Sequence, residues 1–323
     1  MRPALSVILL TTLIGVGQGL FAALYTVQVF DRIGLIHGPT SPLFYAPGCA
    51  LALAFLAVGL GASFFHLGRP ERAWRTVAMW RTSWLSREVI VLPAFMGCVF
   101  LYGLGHYLGW SQRPVVAGLD ATLMIGAVGA VLCALLFLCT GMIYACLKFL
   151  QEWHTPLTVI NYVLFGSASG LMLAAAYAAV FEPGLVRFFA VWAAGFTLAA
   201  LLGRSASLIR NARLKPRSTL QTAIGVKHPR IVQSSQGFMG GSFNTREFFH
   251  GMSSAWMRSV KWIFLLAVFP IPLALLAGGL VGGVLPALLA AAFLIQYAGL
   301  LAERWYFFAQ ANHPQNLYYQ RIS

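Results

Sequence analysis

The stretch SFFHLGRPERAWRTVAMWRTSWLSREVIV, residues 63–91, joins two long apolar runs and decides the fold. It gathers one His, five Arg and two Glu in a chain that is 59% hydrophobic and only 9% charged. So few charged groups cannot cover the surface of a soluble globule of 323 residues. The apolar runs on either side are therefore expected to face lipid, with this stretch as a polar turn at the membrane surface.

Eight apolar runs repeat this pattern along the chain. A helix needs about 20 apolar residues to cross a hydrocarbon core of about 30 Å, and each run is long enough. The sequence therefore predicts an all-α polytopic membrane protein, with residues 1–323 forming a single transmembrane domain of eight helices. The runs lie at residues 4–29, 44–66, 87–109, 119–148, 156–181, 184–208, 259–282 and 284–308.

Lys and Arg are distributed unevenly between the two sides of the predicted bundle. If successive helices cross in opposite directions, 19 of these residues fall on the side that carries both termini. Only Arg32, Arg113 and Arg187 fall on the other side. Because Lys and Arg accumulate in cytoplasmic connections, both termini are predicted to be cytoplasmic. The net charge of +14 then reflects topology, and no basic soluble domain remains to bind nucleic acid.

The connection at residues 209–258 is the longest between two predicted helices. It is rich in Gly, Ser, Asn and Arg and is interrupted by aromatic residues. Loops of this length are usually functional or disordered, and charged segments with aromatic anchors suit a protein interface. We expect a cytoplasmic docking segment here, with a basic loop against lipid headgroups as the alternative.

His66 closes the second predicted helix and Glu88 opens the third, so both lie at the cytoplasmic boundary of the membrane and can face one another. Reduction of a quinone takes up two electrons and two protons. Its site needs hydrogen-bond partners for the carbonyl oxygens and a group that exchanges protons with water. An imidazole and a carboxyl group together supply both, and Tyr102, Tyr144 and Tyr162 are further candidates for hydrogen bonding. The structural alternative is that His66 and Glu88 only end their helices and pair with nearby arginines.

The connection between these two residues is rich in Arg and Trp. The planar fork of Arg suits carboxylates, and Trp is enriched at protein interfaces. This pattern predicts a docking surface for an acidic patch of a partner protein, with an ordinary aromatic and cationic belt at the membrane surface as the alternative. The candidate docking residues are Arg72, Arg75, Arg81, Trp74 and Trp80, together with Arg246 and Phe243 of the long connection.

The Cys and His residues argue against a metal centre in this chain. All five cysteines lie in apolar runs and none forms a Cys-x-x-Cys pair, so no iron–sulfur or zinc site is indicated. The two axial His ligands of a haem must enter a bundle at similar depth. His66 and His106 lie at opposite ends of their predicted helices. The sequence therefore predicts neither haem nor an iron–sulfur cluster here.

Polar residues within the runs are few. Asn161 and Gln296 are expected to form hydrogen bonds between helices, with a quinone or proton path as the alternative. Glu303 and the adjacent Arg304 are interpreted as an ion pair at the membrane boundary, and no charged residue is expected at a helix centre. Secondary transporters place ionisable residues near the bilayer midplane. A transporter is therefore a lesser alternative, as is an anchor without a quinone site.

The segment FFHLGRPERAWRTVAMWRTSWLSREV, residues 64–89, resembles the membrane anchor subunits of dimethyl sulfoxide reductase-type molybdoenzymes. In that family a His-Leu-Gly-(Arg/Lys)-Pro segment closes helix two and a Ser-Arg-Glu segment opens helix three. The resemblance implies a subunit that holds no metal, binds ubiquinone or menaquinone, and anchors a four-cluster iron–sulfur subunit and a molybdopterin catalytic subunit. It places the family's functional His and Glu on His66 and Glu88, with Arg69 and Arg87 beside them as further quinone contacts.

The long connection, from LKPRST to FFHG at residues 214–251, is similar to that of the sulfite-oxidising members of this family. The charge distribution agrees, because a reductase with partners on the outer face should show the opposite bias. The resemblance therefore implies a place in the bacterial cytoplasmic membrane and electron flow from sulfite to quinone. The alternative is the anchor of a dimethyl sulfoxide or related reductase that oxidises menaquinol, because the sequence does not fix the direction of electron flow.

Overall fold

The fold is a bundle of long apolar helices, which confirms the predicted class. The computed structural model describes residues 1–39, 41, 43–112, 114–116, 119–232, 234, 248–281 and 283–318. Within these ranges, eight helical stretches are long and apolar enough to cross a membrane. The helices are α1 (Leu5–Arg32), α2 (Tyr45–Ser63), α3 (Trp84–Tyr107), α4 (Ala121–Ala145), α5 (Pro156–Phe181), α6 (Val186–Ala212), α7 (Leu220–Ile224), α8 (Ser254–Val268), α9 (Pro270–Gly278), α10 (Pro286–Ala309) and α11 (Gln315–Tyr318).

Short elements connect several of these helices. The polar connection between the second and third spans contains two 3-10 segments, one directly after α2 and a longer one before α3. Two short strands pair antiparallel just before α4. The 3-10 segments are Phe64–His66, Pro70–Met79, Trp110–Gln112 and Pro183–Leu185, and the strands are β1 (Pro114–Val116) and β2 (Leu119–Asp120).

Four of the described spans begin at polar residues that cap their helices, among them the seventh, where Ser253 Oγ accepts from the backbone N–H of Trp256. Ser83 Oγ accepts from the backbone N–H of Ser86 at 3.3 Å, and Asp120 Oδ1 accepts from that of Leu123 at 2.9 Å. Thr155 caps α5 in the same way. A side-chain oxygen at this position satisfies an N–H group that has no partner within the helix. Because each cap directly precedes an apolar run, it fixes where the span starts.

The seventh span is broken where α8 ends at Val268 and α9 begins at Pro270. Proline has no N–H, so Pro272 cannot donate to the carbonyl of Val268 one turn earlier. Gln296 of α10 supplies the missing donor, because its Nε2 lies 3.2 Å from Val268 O. The same amide also reaches Thr197 Oγ1 of α6 at 3.1 Å. Gln296 therefore joins three spans through hydrogen bonds, as its expected role requires.

Helices α1 and α5 form the centre of the bundle. In each of them 72% of the residues in the apolar stretch are buried, compared with 33–39% in the other six spans. The two helices cross closely at Gly19, where an added Cβ would lie 2.1 Å from Gly166 O and 2.9 Å from Gly170 Cα. Small residues allow such backbone contact between membrane helices. The outer spans therefore surround an α1–α5 pair and face lipid.

The alternating spans sort the connections onto two faces. We use the term basic face for residues 1–4, 67–83, 146–155, 213–253 and 310–318, as far as these are described. Hydrogen bonds join the separate segments of this face. The Met1 amino group donates to Ala311 O at 2.8 Å, and both terminal nitrogens of the Arg210 guanidinium lie 3.1 Å from Gln151 O. The functional candidates of the opening stretch all lie at or near this face.

Candidate functional site

Glu88 lies about one turn into α3, on its buried side. Ser83 fixes the start of this helix, and Ser86 and Glu88 are its first buried residues. Glu88 is only 7% exposed, and its Oε1 accepts a hydrogen bond from Thr140 Oγ1 of α4. A carboxyl group is costly to hold inside an apolar bundle, and ionisable residues within spans usually have a function. Glu88 is therefore the strongest candidate for a functional residue inside the bundle.

His66 lies in a different environment, at the exposed end of the second span. It is the last residue of the 3-10 turn that continues α2, and this turn also contacts α1. Phe64 and Phe65 are 47% and 89% exposed, so two apolar rings adjoin the imidazole on the outer surface of the bundle. An imidazole beside lipid-facing rings suits a hydrophobic ligand with a polar head group.

His66 and Glu88 lie at the two ends of the same connection, yet they are not bonded to each other. Among the described residues, no hydrogen bond or ion pair joins the two side chains. His66 is exposed, whereas Glu88 bonds inward to Thr140. A ligand that used both groups would have to reach from the surface at His66 to the edge of the interior at Glu88.

Arg87 ties the polar connection to the start of α3. Its Nε donates to Trp80 O at 3.0 Å, and its Nη2 donates to Arg81 O at 2.7 Å. Its guanidinium also lies 4.2 Å from the centre of the Trp84 ring. These contacts engage the guanidinium within the connection itself. Arg69 is the other arginine that is predicted to contact quinone. It is exposed and lies at the start of the second 3-10 segment.

The docking segment, residues 69–82, presents Arg and Trp side chains to the surroundings. Trp74 and Trp80 are 70% and 52% exposed. The guanidinium of Arg75 lies 5.5 Å from the Trp74 ring, and that of Arg81 lies 5.3 Å from the Trp80 ring. Arg72 is also exposed, 3.9 Å from the carboxylate of Glu71. The predicted docking residues of this segment therefore form one accessible surface of cations stacked beside aromatic rings.

The long connection is shorter than predicted, because both flanking helices extend into it. α6 continues to Ala212 and α8 begins at Ser254, which leaves residues 213–253. Its last part folds back on the C-terminal segment. The Phe248 and His313 rings stack at 3.7 Å, and Asn316 Nδ2 donates to Phe248 O at 3.1 Å. The predicted docking residues Arg246 and Phe243 lie outside the described residues.

A charged cluster lies buried between α6 and α10. Arg204 Nε is 2.8 Å from Glu303 Oε1, and Arg304 Nε is 2.7 Å from Glu303 Oε2. Glu303 is fully buried, and the two arginines are 2% and 3% exposed. The Arg304 guanidinium also lies 4.3 Å from the centre of the Tyr162 ring. With two cations and one anion, the cluster has a formal charge of +1.

This cluster differs from the ion pair predicted at the membrane boundary. The sequence suggests a Glu303–Arg304 pair at the membrane boundary, because the two residues lie near the end of an apolar run. Instead, Arg204 of α6 completes the group from about two turns inside that helix. Mutual pairing and aromatic faces compensate the buried charges. The signal in the sequence is that Arg204 falls inside the sixth apolar run, residues 184–208, rather than in the connection after it.

Two polar cavities lie on either side of Arg304. The inner cavity has a volume of about 20 Å³, room for about one water molecule, and reaches Thr140, the partner of Glu88. The outer cavity has a volume of about 10 Å³ and reaches Glu152 on the basic face. The polar side chains of the inner cavity are Thr11, Thr12, Gln18, Thr140, Tyr162, Ser169 and Arg304, and those of the outer cavity include Glu152, Thr158, Asn161, Arg204, Ser207 and Arg304.

The three tyrosines that are candidates for hydrogen bonding separate into two regions. Tyr162 lines the inner cavity, and Tyr144 stacks on it at 5.7 Å. Tyr102 lies at the other end of the bundle, where its ring lies 4.6 Å from that of His106. Only Tyr144 and Tyr162 are therefore placed near the Glu88 region.

The described ranges hold no group of three His, Cys, Asp or Glu side chains arranged to bind a metal ion. The donors that these ranges bring together near the basic face are an imidazole, a buried carboxyl group, hydroxyl groups and guanidinium groups. Such groups bind carbonyl oxygens and exchange or orient protons. They suit an organic ligand with carbonyl oxygens at the membrane boundary.

Two comparisons with known proteins agree with this architecture. The sequence profile of the DMSO reductase anchor subunit (DmsC) family matches residues 40–308. The chain is also 54% identical over 329 aligned residues to a protein of Allochromatium vinosum that is named as a subunit of sulfite dehydrogenase. That alignment covers 100% of both chains.

Proposed function

The chain belongs to the DMSO reductase anchor subunit family, and on this premise we propose that it is the quinone-reactive membrane subunit of a sulfite-oxidising complex. Family membership makes it a multi-pass membrane anchor within a multi-subunit oxidoreductase. We infer that a molybdopterin subunit oxidises sulfite and that an iron–sulfur subunit passes the electrons to quinone at this chain.

The choice of sulfite rests on the relative from Allochromatium vinosum. Its name assigns it to a sulfite dehydrogenase, and the similarity extends over both entire chains at 54% identity. The match therefore includes the docking segment and the long connection, which are both parts of the basic face. An anchor that serves the same kind of catalytic subunit is expected to keep these surfaces.

The quinone proposal is carried by the buried Glu88–Thr140 pair, which lies one turn inside the basic face. The residues around the connection fit a quinone. His66 offers a ring N–H at the surface, and Phe64 and Phe65 offer apolar rings next to the lipid where an isoprenoid tail would lie. Glu88 offers a carboxyl group that is shielded from bulk water.

A bound quinone would accept two electrons and two protons and leave as quinol. In this arrangement His66 would hold one carbonyl oxygen by a hydrogen bond. Glu88 would transfer protons, with Thr140 orienting its carboxyl group. Arg69 is exposed beside the turn and can contact the quinone head group. Arg87 would support the site indirectly, because its guanidinium holds the docking segment against α3.

We further propose that the basic face lies in the bacterial cytoplasm, at the inner membrane. The proposal is supported by the excess of Lys and Arg in its connections. The cationic docking segment suits an acidic patch on the iron–sulfur partner. Ubiquinone and menaquinone both fit this site. The iron–sulfur clusters and the molybdopterin would belong to the partners, with no metal or haem in this chain.

The proposed function is tested by gentle purification of the chain from its native membrane, followed by an assay of sulfite-dependent quinone reduction. We expect a molybdenum subunit and an iron–sulfur subunit to co-purify and the complex to reduce quinone with sulfite. The same partners with sulfoxide reduction instead would contradict the choice of sulfite. A chain that purifies without partners would contradict the proposed complex.

The double variant Trp80→Ala, Arg81→Ala should weaken binding of the iron–sulfur partner by tenfold or more. Exposed Trp and Arg side chains at the centre of an interface commonly contribute about 2 kcal/mol or more each. Binding can be measured by titrating the solubilised chain with the partner at two salt concentrations. Trp262→Ala is the matched control, because Trp262 is 59% exposed on the lipid-facing side of α8. Unchanged affinity in the double variant would mean that the segment contacts lipid headgroups instead.

A further inference from the structure

The two cavities and the charged cluster adjoin one another in the half of the bundle nearest the basic face. Thr140 joins this region to Glu88, because it donates to the Glu88 carboxyl and also lines the inner cavity. Arg304 lines both cavities and so forms the wall between them. Glu152 lines the outer cavity where it meets the basic face.

Several buried polar atoms along this region make no hydrogen bond of ordinary geometry to the described residues. They include Tyr162 Oη, Arg304 Nη1 and Arg204 Nη2. A buried polar atom without a hydrogen bond costs about 1–3 kcal/mol. Cavities with polar walls and sufficient room hold ordered water, which satisfies such atoms. Each of these three residues lines at least one of the two cavities, so water there can bond to them.

The charge of the region suits a carboxylate at its inner end. The cluster of Arg204, Glu303 and Arg304 has a formal charge of +1. Among the described residues, Glu303 is the only acidic side chain that pairs with Arg204 or Arg304. The two cations therefore share one anion. The inner cavity separates this excess positive charge from Thr140 and its partner Glu88. Polarised water between them would stabilise an ionised Glu88.

We propose that ordered waters in the inner and outer cavities carry protons between the Glu88 carboxyl group and the basic face at Glu152. This inference deepens the proposed function, because it names the route by which Glu88 exchanges protons. When Glu88 gives up a proton, the water beside Thr140 returns one, and the waters and hydroxyl groups behind it each pass one proton inward. Arg304 keeps its protons and only orients the water on either side of it. Glu152 then takes one from the aqueous phase, so no net charge accumulates in the cavities.

The test follows hydrogen–deuterium exchange of the protonated Glu88 carboxyl by infrared spectroscopy on the full chain in lipid nanodiscs. The carboxyl band is identified by its loss in Glu88→Gln. One blocking variant is Thr11→Leu, which fills the inner cavity and removes a hydroxyl group that bonds only within α1. The other is Ser207→Val, which narrows the outer cavity.

Each blocking variant has a matched control outside the cavities. Thr26→Leu alters another α1 threonine whose hydroxyl group bonds within the helix, to Ala22 O. Ser259→Val alters a serine of α8 whose hydroxyl group bonds to Ala255 O, as that of Ser207 bonds to Gly203 O. If Thr11→Leu does not fold, the near-isosteric Thr11→Val replaces it, with an effect in the same direction.

We expect exchange at Glu88 to slow by tenfold or more in both blocking variants and to keep the wild-type rate in both controls. A wild-type rate in either blocking variant would overturn the proposal, because Glu88 would then reach water directly at the start of α3. Equal slowing in the controls would overturn it as well. The measurement uses neither quinone nor sulfite, so failure of the proposed function would appear separately, as absent quinone reduction with normal results here.

Discussion

Glu88→Gln is expected to abolish quinone-linked turnover of the complex, with a loss of roughly 10²–10⁴-fold, which is the usual contribution of a proton-transferring side chain. The amide has nearly the size of the carboxyl group and can still accept the hydrogen bond from Thr140. It cannot give up and regain a proton in the same way. The change therefore removes the proposed chemistry while it leaves the local packing in place.

The measurement compares sulfite oxidation with quinone and with an artificial dye as the electron acceptor. Dye-linked activity should be unchanged, because the dye takes electrons from the partner subunits before they reach this chain. Glu182→Gln is the matched control, since Glu182 follows α5 on the opposite face. Full quinone turnover in Glu88→Gln would remove Glu88 from the site. Loss of the dye activity as well would assign it a role in assembly instead.

Glu303→Gln is expected to destabilise the bundle by roughly 3–5 kcal/mol, the usual cost of removing one partner from a buried ion pair. The change would leave Arg204 and Arg304 buried without the carboxylate that both of them contact. Arg204→Met should cost less, because it leaves the neutral pair of Glu303 and Arg304. Which of the two variants loses more free energy of unfolding therefore tests the net charge of the cluster as well as its burial.

Thermal unfolding of the detergent-solubilised variants, followed by circular dichroism, measures this order. Glu71→Gln provides the contrast, because its carboxylate lies 3.9 Å from Arg72 and both side chains are exposed. Exposed pairs contribute about 0–1 kcal/mol, so this variant should unfold almost as the wild type does. A Glu303→Gln variant as stable as Glu71→Gln would mean that the cluster is not held by charge pairing.

Much of the fold could be predicted from the sequence, because the length and polarity of a membrane span are local properties. Eight apolar runs gave eight spans. The ends were less accurate where tertiary contacts extend a helix. α6 continues to Ala212 because Arg210 bonds to Gln151 O, and the Asn211 amide lies 3.5 Å from Glu152 O. Those partners come from a connection about 60 residues earlier in the chain, which no local pattern reports.

The candidate site was predictable in its residue types but not in its pairing. The sequence pointed to His66 and Glu88 through their positions at helix ends and through a family resemblance. It could not show that Glu88 turns inward to Thr140, because this depends on how α3 packs against α4. The burial of Arg204 depends in the same way on the rotation of α6 towards α10. Hydropathy measures how apolar a segment is, but it does not give the direction in which one side chain points.

The central position of α1 has a consequence for biosynthesis. This helix leaves the ribosome before the other seven spans, which include the helices that bury it. Gln18 donates to Cys133 O of α4 at 3.0 Å, and Gln28 donates to Thr122 Oγ1 of the same helix at 2.7 Å. Until α4 is synthesised, both amides lack these partners, and an unpaired amide in lipid costs several kcal/mol. The bundle can therefore close around α1 only after α4 and α5 have been made, and until then the two amides need other hydrogen-bond partners.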